Sequence, residues 1–350
     1  MSKRVILAGG SGFLGNALAK RFCERGNEVV VLTRSPRGRT DGVQEVGWDG
    51  RTLGDWARLV DGAEVVVNLT GRSVDCRYTE ANRRVIIASR VDSTRVLGEA
   101  IARGAKPPRV WLNASSATIY KHTFDRAMDE NGETGATPAA KDEFSIEVIR
   151  QWEAALNVDY GVRRVESERG QPCLRVADNE VQTRAQSCPR SATRKVALRI
   201  TLVLGEDGGV FPVLRRLARL GLGGRMGSGK QFVSWIHIED FCRAVEWLIA
   251  REDLSGPVNL AAPNPLPNRE MMRLLRAACG APFGLPATEW MLEVGAVFLR
   301  TETELILKSR RVVPGRLLAS GFQFQFPKLD EALPHLEDRT TARGDARPTA

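Results

Sequence analysis

Three glycines at every third position, Gly9, Gly12 and Gly15, follow the apolar run Val5-Ile6-Leu7-Ala8 and lead into a helical stretch from Asn16 to Arg25. A second apolar run, Glu28 to Leu32, comes next at the spacing of a strand-helix-strand unit. Glycine is required where a chain turns tightly, where its backbone must approach a phosphate, and where helix and strand pack closely. A helix start also offers unpaired N–H groups and a positive dipole end to an anion. The spacing therefore describes a cradle for a nucleotide diphosphate, formed by Gly9, Gly12 and Gly15 with the backbone of Phe13 and Leu14.

The end of the second strand tests which dinucleotide fits. An acidic residue there would bind a ribose 2′-hydroxyl, but this chain reads Leu32-Thr33-Arg34-Ser35. A guanidinium beside a hydroxyl suits a 2′-phosphate, so Arg34 and Ser35 favour NADP(H) over NAD(H). The alternative is that Arg34 is a solvated loop cation.

A second group of reactive side chains lies after the run Arg109 to Asn113: Ser115, Ser116 and Tyr120, with Lys121 beside the phenol. Tyr120 is the candidate acid/base expected to face a nicotinamide, or it packs under its loop with the hydroxyl bonded. His237 and Asp240, in Trp235-Ile236-His237-Ile238-Glu239-Asp240, read as a structural joint and a capping carboxylate. Arg199, Arg225 and Lys230 are candidates for an anionic substrate, the last two within a Gly-rich stretch, with a solvated loop as the alternative.

The elements that must position these groups alternate. Val43 to Trp48 and Glu64 to Leu69 read as strands with a helix from Leu53 to Val60 between them. A long helix from Ala81 to Arg103 carries apolar residues at helical spacing, and Arg109 to Asn113 is a strand. A helix from Phe144 to Leu156, a strand from Val196 to Leu204 and a helix from Phe211 to Leu220 follow. Such alternation implies an α/β fold with a doubly wound parallel Rossmann-type sheet over residues 1–220. A smaller C-terminal substrate lobe, 221–336, is expected from a strand at Phe232 to Ile236 and helices at Ile238 to Ala250, Arg269 to Cys279, Ala287 to Leu299 and Thr303 to Lys308. The alternation Phe322-Gln323-Phe324-Gln325-Phe326 reads as a strand with one buried face. Two segments lack apolar periodicity and are expected to be disordered: an insertion at about 160–194 and a tail at 337–350.

Lysine and arginine number 51 against 42 acidic residues, a net charge of +9. The arginines are scattered without aromatic interleaving, which argues against nucleic acid and suits a phosphate-rich cofactor or an anionic small molecule. Six cysteines and three histidines show no metal-ligand spacing, so no metal site is expected. No apolar run approaches a membrane span, and a cytoplasmic protein with reduced thiols is expected.

The start motif, Asn68-Leu69-Thr70-Gly71, Asn113 to Tyr120 and Trp235 to Asp240 together resemble the extended short-chain dehydrogenase/reductase superfamily. Gly221 to Lys230, Gly256 to Pro265 and Arg310 to Leu318 are similar to its branch of epimerase family proteins, which carry a C-terminal domain of undefined role, here about 285–333. The resemblance implies that Leu69, Thr70 and Gly71 line the path to the nicotinamide ribose and that Ser115 and Ser116 stand where the superfamily has its catalytic hydroxyl. It also implies a tyrosine with a lysine four residues on. Aligned on Glu153, those places hold Ser145 and Ile149, and neither can do that chemistry. An NADP(H)-dependent oxidoreductase or epimerase-like enzyme using Ser115, Ser116 and Tyr120 is one expectation; a non-catalytic NADP(H)-binding regulatory or structural protein is the other.

Overall fold

Valine-rich runs buried on both faces form the centre of a seven-stranded parallel sheet, the pattern expected where helices cover both sides. The computed structural model describes residues 2–160, 193–293 and 303–344. The strands are β1 (Arg4–Ala8), β2 (Glu28–Thr33), β3 (Gln44–Gly47), β4 (Val65–Asn68), β5 (Val110–Ser116), β6 (Arg194–Ile200) and β11 (Gly256–Leu260), in the order β11-β6-β5-β4-β1-β2-β3. Strand order reverses between β1 and β4, and ligands of open α/β sheets bind in the crevice at such a point.

Alternate residues of β1 serve the two layers. Val5 and Leu7 pack with Leu18 and Phe22 of helix α1 (Phe13–Glu24) and with Phe241 and Val245 of helix α6 (Ile238–Ala250). Ile6 and Ala8 face the layer of α2 (Ala57–Val60), α3 (Glu80–Arg103) and α4 (Glu143–Asn157). The expected helix from Leu53 is cut to α2, because Trp56 turns its indole edge-on to Trp48 at 5.3 Å.

The expected strand from Val196 to Leu204 is two strands. At Thr201 the chain changes partner: Thr201 N and Oγ1 donate to Leu260 O, whereas Leu202 N donates to Ser234 O. Strand β7 (Leu202–Gly205) therefore leaves the main sheet and pairs with β8 (Gly208–Gly209) and β10 (Trp235–His237). The strand expected at Phe232 to Ile236 divides likewise into β9 (Phe232–Val233), which pairs with β12 (Leu266–Pro267), and β10. Helices α5 (Phe211–Arg219) and α7 (Asn268–Ala278) stand close to their expected positions. Residues 289–293 are helical, and the rest of the helix expected to Leu299 lies outside the described residues.

Two expectations need correction. The tail does not begin at 337: a helix, Leu329–Gly344, continues into it, with Leu329, Ala332, Leu333 and Leu336 buried against Met271, Met272 and Leu275, and 345–350 lie outside the described residues. That spacing is one helical face, and a buried face orders the polar turns that follow it. The insertion expected at about 160–194 is bounded by two placed residues. Tyr160 packs so closely on Gly98 that a Cβ there would lie 2.2 Å from its ring, and Arg194 opens β6; the segment between, with Cys173 and Cys188, lies outside the described residues. Finally, Phe322 to Phe326 forms no strand. Phe322 and Phe326 are buried, but the backbone N–H groups of Gln325 and Phe326 donate to the Asp240 carboxylate at 2.8 Å each.

The C-terminal segment is held to the sheet domain by buried polar groups. Glu130 accepts from the backbone of Asn259 at 2.9 Å and of Arg316 at 3.0 Å. Lys308 is ion-paired with Asp142, both fully buried, and donates to Thr118 O at 2.7 Å. Asp240 is the analogous tie on α6, which yields a stability prediction. Asp240→Ala strands two backbone donors and should cost about 3 kcal/mol in urea denaturation. A loss below about 1 kcal/mol would show that water replaces the carboxylate.

Candidate functional site

At the carboxyl ends of β1, β4 and β5 lies a cavity of about 510 Å³. Gly9, Gly12, Phe13, Leu14 and Gly15 form one wall. Gly9 has φ +70°, and a Cβ there would meet Thr70 Oγ1 at 2.8 Å. At Gly15 a Cβ would come within 2.3 Å of the Gly10 backbone, so α1 can start against the turn only without one. Gly12 has nothing within 4 Å of a Cβ position, which leaves its backbone open to the cavity. The first turn of α1 has neither a side-chain cap nor an acid, so its N–H groups and dipole stay available to an anion.

The Phe13 ring sits on Gly205, Gly208 and Gly209. At the lip, Gly9 N donates to Leu32 O at 2.9 Å, and Thr33 Oγ1 meets Ser11 Oγ at 3.3 Å. These bonds hold the end of β2 against the turn. Arg34 and Ser35 follow it, both exposed.

Leu69 and Gly71 line the next wall. Asn68 holds their loop: its Oδ1 accepts from Thr70 N at 3.0 Å, while its Nδ2 donates to Asn113 Oδ1 at 2.8 Å. Thr70 Oγ1 is buried without a hydrogen-bond partner among the described residues. Such a group costs stability unless a ligand or water satisfies it. An open glycine turn, an uncapped helix start and this orphaned hydroxyl fit a dinucleotide.

Ser115 and Ser116 also line the cavity. Ser115 Oγ donates to Glu153 Oε1 at 2.7 Å, and Glu153 is clamped by Arg199 through Nε and Nη2 at 2.9 Å each. Ser116 Oγ accepts from Thr118 N at 3.2 Å. Ser145 and Ile149 line the far side, and Ser145 Oγ donates to Glu304 Oε2 at 2.7 Å. Burial pushes the Glu304 carboxyl above its usual range.

Tyr120 does not face the cavity. It is 2% exposed and packs with Met128, Ile149 and Val312. Its hydroxyl donates to Asn259 Oδ1 at 2.8 Å and accepts from Arg199 Nη1 at 2.9 Å. Burial raises its pKa, so the phenol is a structural strut here. Lys121 is ion-paired with Glu133 outside the cavity. Arg199 is committed to Glu153 and Tyr120, and Arg225 is exposed with Nη1 on Gly227 O; neither lines the cavity. Lys230 borders a separate, shallower pocket with Phe124 and Arg269. His237 is buried: Nδ1 accepts from Glu239 N at 3.0 Å, and Nε2 lies 3.3 Å from His335 Nδ1.

Sequence reasoning missed Arg72, Tyr78 and Arg90, all of which line the cavity. The Tyr78 ring meets Phe144 edge-on at 4.8 Å. The Arg90 guanidinium lies 5.0 Å over the Trp152 ring, and its Nη1 donates to Ile86 O at 3.0 Å. A signal existed: Ile86 and Arg90 are four apart on one helix face, so burying the first directs the second inward. Among the described residues no cluster of His, Cys, Asp or Glu could hold a metal, and no helix is long and apolar enough to cross a membrane.

Residues 5–146 match the NAD dependent epimerase/dehydratase family, and residues 287–336 match a domain of unknown function, DUF1731. The epimerase family protein SDR39U1 of Bos taurus is 30% identical over 334 residues, 94% of this chain and 98% of the relative. The epimerase family protein YfhF of Bacillus subtilis (strain 168) is 26% identical, with 96% and 99% of the two chains covered. Among solved structures, human SDR39U1 (isoform 2) with NADPH superposes with a TM-score of 0.75 at 28% identity, covering 96% of this chain and 99% of that one. A nucleoside-diphosphate sugar epimerase from Corynebacterium glutamicum gives 0.68 at 25% identity, covering 98% of this chain and 61% of that one. The glycine cradle, the sheet order and the C-terminal domain thus agree with these likenesses: the chain belongs to the NAD-dependent epimerase/dehydratase family, among the epimerase family proteins with a C-terminal DUF1731 domain.

Proposed function

We propose that this chain is a cytoplasmic NADP(H)-dependent oxidoreductase or epimerase-like enzyme acting on a small carbonyl or alcohol compound. The observation that carries the reading is one cavity joining the open glycine turn to the serine pair of β5. NADPH in the human relative's structure supports the choice of cofactor. Gly9, Gly12 and Gly15, with the N–H groups of Phe13 and Leu14, hold the diphosphate. Arg34 and Ser35 hold the 2′-phosphate at the lip, and Leu69, Thr70 and Gly71 lead toward the nicotinamide ribose, where Thr70 Oγ1 gains a partner.

When bound, the nicotinamide supplies or accepts hydride. Ser115 and Ser116 then hydrogen-bond the substrate oxygen, with Ser115 oriented by Glu153. The accompanying proton needs a group at the wall, and Tyr78 is the one of the three tyrosines that lines the cavity. A second reading, a non-catalytic NADP(H)-binding regulator, is favoured by Ser145 and Ile149 in the places of the family's tyrosine and lysine.

Fluorescence titration of the purified chain should give tighter binding of NADPH than NADH. Arg34→Asp should cost NADPH affinity about 1 to 3 kcal/mol and leave NADH unchanged; equal losses would remove the 2′-phosphate assignment. Turnover is then read as nicotinamide oxidation over a panel of carbonyl compounds. Tyr78→Phe is expected to lower kcat about 100-fold with NADPH affinity intact. Tyr120→Phe should instead cost about 1 kcal/mol of stability and lower turnover far less than Tyr78→Phe does. Bound NADPH that stays reduced across the panel would favour the regulator.

A further inference from the structure

The charged side chains that line the cavity are both cations, Arg72 and Arg90, and no carboxylate is among its walls. Arg72 is exposed, with Nη2 on Asn82 Oδ1 at 3.2 Å. Arg90 is half-buried, and the hydrogen bond of its guanidinium is to a carbonyl of its own helix. Among the described residues no carboxylate forms an ion pair with it. Lost hydration lowers its pKa to about 10, and the neighbouring Tyr78 phenol offsets that only in part. The group is nevertheless held in place, stacked on Trp152 and with Cζ 3.1 Å from where a Gly71 Cβ would be. A half-buried, oriented guanidinium without a counter-charge is a site for an anion.

Its place in the sheet says which anion. Gly71 follows β4, Trp152 belongs to α4, and Ser115 and Ser116 end β5, which neighbours β4. Arg34 follows β2, on the other side of β1. Arg90 thus stands on the serine side of the crevice, away from the lip assigned to the 2′-phosphate. The wall beside it is apolar: Val74, Phe144, Val148 and Trp152.

We infer that Arg90, with Arg72 at the outer wall, is a subsite for the carboxylate of the substrate, whose class is a small carboxylic acid with an apolar body. The inference rests on the cofactor reading above and adds the substrate's charge to it. Arg90 anchors the carboxylate through the guanidinium edge left free by Ile86 O. The apolar body lies along Phe144 and Trp152, and the reacting oxygen turns to Ser115 and Ser116.

The test titrates benzoate, benzamide and phenyl phosphate into the NADPH-loaded chain and, separately, into the nucleotide-free chain with tryptophan fluorescence as the readout. Benzoate should bind saturably to both forms, and benzamide should not. Arg90→Met should weaken benzoate by about tenfold or more, in keeping with loss of a charge-assisted contact, while the NADPH dissociation constant stays within about twofold. Arg90→Lys should restore part of the benzoate affinity, and Arg72→Met should lower it severalfold should Arg90→Met fail to fold. No binding of benzoate to either form overturns the proposal, as does equal binding of benzamide. A preference for phenyl phosphate overturns the carboxylate assignment. Equal losses of benzoate and NADPH in Arg90→Met give Arg90 to the cofactor diphosphate and overturn it too. Failure of NADPH alone, with benzoate still bound by the nucleotide-free chain, sinks the cofactor reading and not the subsite.

Discussion

Backbone contact between Gly10 and Gly15 governs the whole crevice. Because no Cβ intervenes, α1 begins directly against the turn that leaves β1, and its uncapped N-terminus points into the gap between β1 and β4. Any side chain at position 15 would push the helix outward and carry the anion-binding end with it. The Phe13 ring, seated on the glycines of β7 and β8, fixes the same helix from its other side. Close packing at both places, backbone on backbone at Gly15 and ring on backbone at Phe13, leaves the helix little room to shift.

A second constraint is polar. Asn68, Asn113, Thr94 and Trp152 form a buried hydrogen-bonded chain that runs from the loop after β4 to α4. Glu153, one residue on, orients Ser115 and is itself held by Arg199. Buried polar groups of this kind are costly when unpaired, so the chain has one arrangement, and it is the arrangement that aims the serines into the cavity. Tyr120 belongs to this supporting framework through Arg199 and Asn259.

The C-terminal domain braces the far wall from behind with buried charge. Lys308 and Asp142 pair in full burial, and Glu304 accepts from Ser145 on α4. Removing one member of such a pair leaves an uncompensated buried charge, which is why the C-terminal segment and the sheet domain have to be folded together. The domain of unknown function supports a wall of the cavity, through Ser145 and Thr118, without lining it.

What the sequence determined alone was local: the glycine turn, the alternation of strand and helix, the Rossmann class, and the absence of tyrosine and lysine from α4. Glycine spacing, apolar period and residue identity act over a few neighbours and can be read there. Only the tertiary structure decided which phenol and which cations reach the cavity. Tyr120 meets Asn259 across 139 positions and is removed from the site, whereas Tyr78 is left at the wall. Arg199 finds Glu153 and is neutralised, while Arg90 finds an aromatic face and no acid. The change of sheet at Thr201 and the helix beyond Leu336 depend on the same kind of partner, distant in sequence. A side chain's chemistry is fixed by the groups it meets, and for these residues those groups come from other elements of the fold.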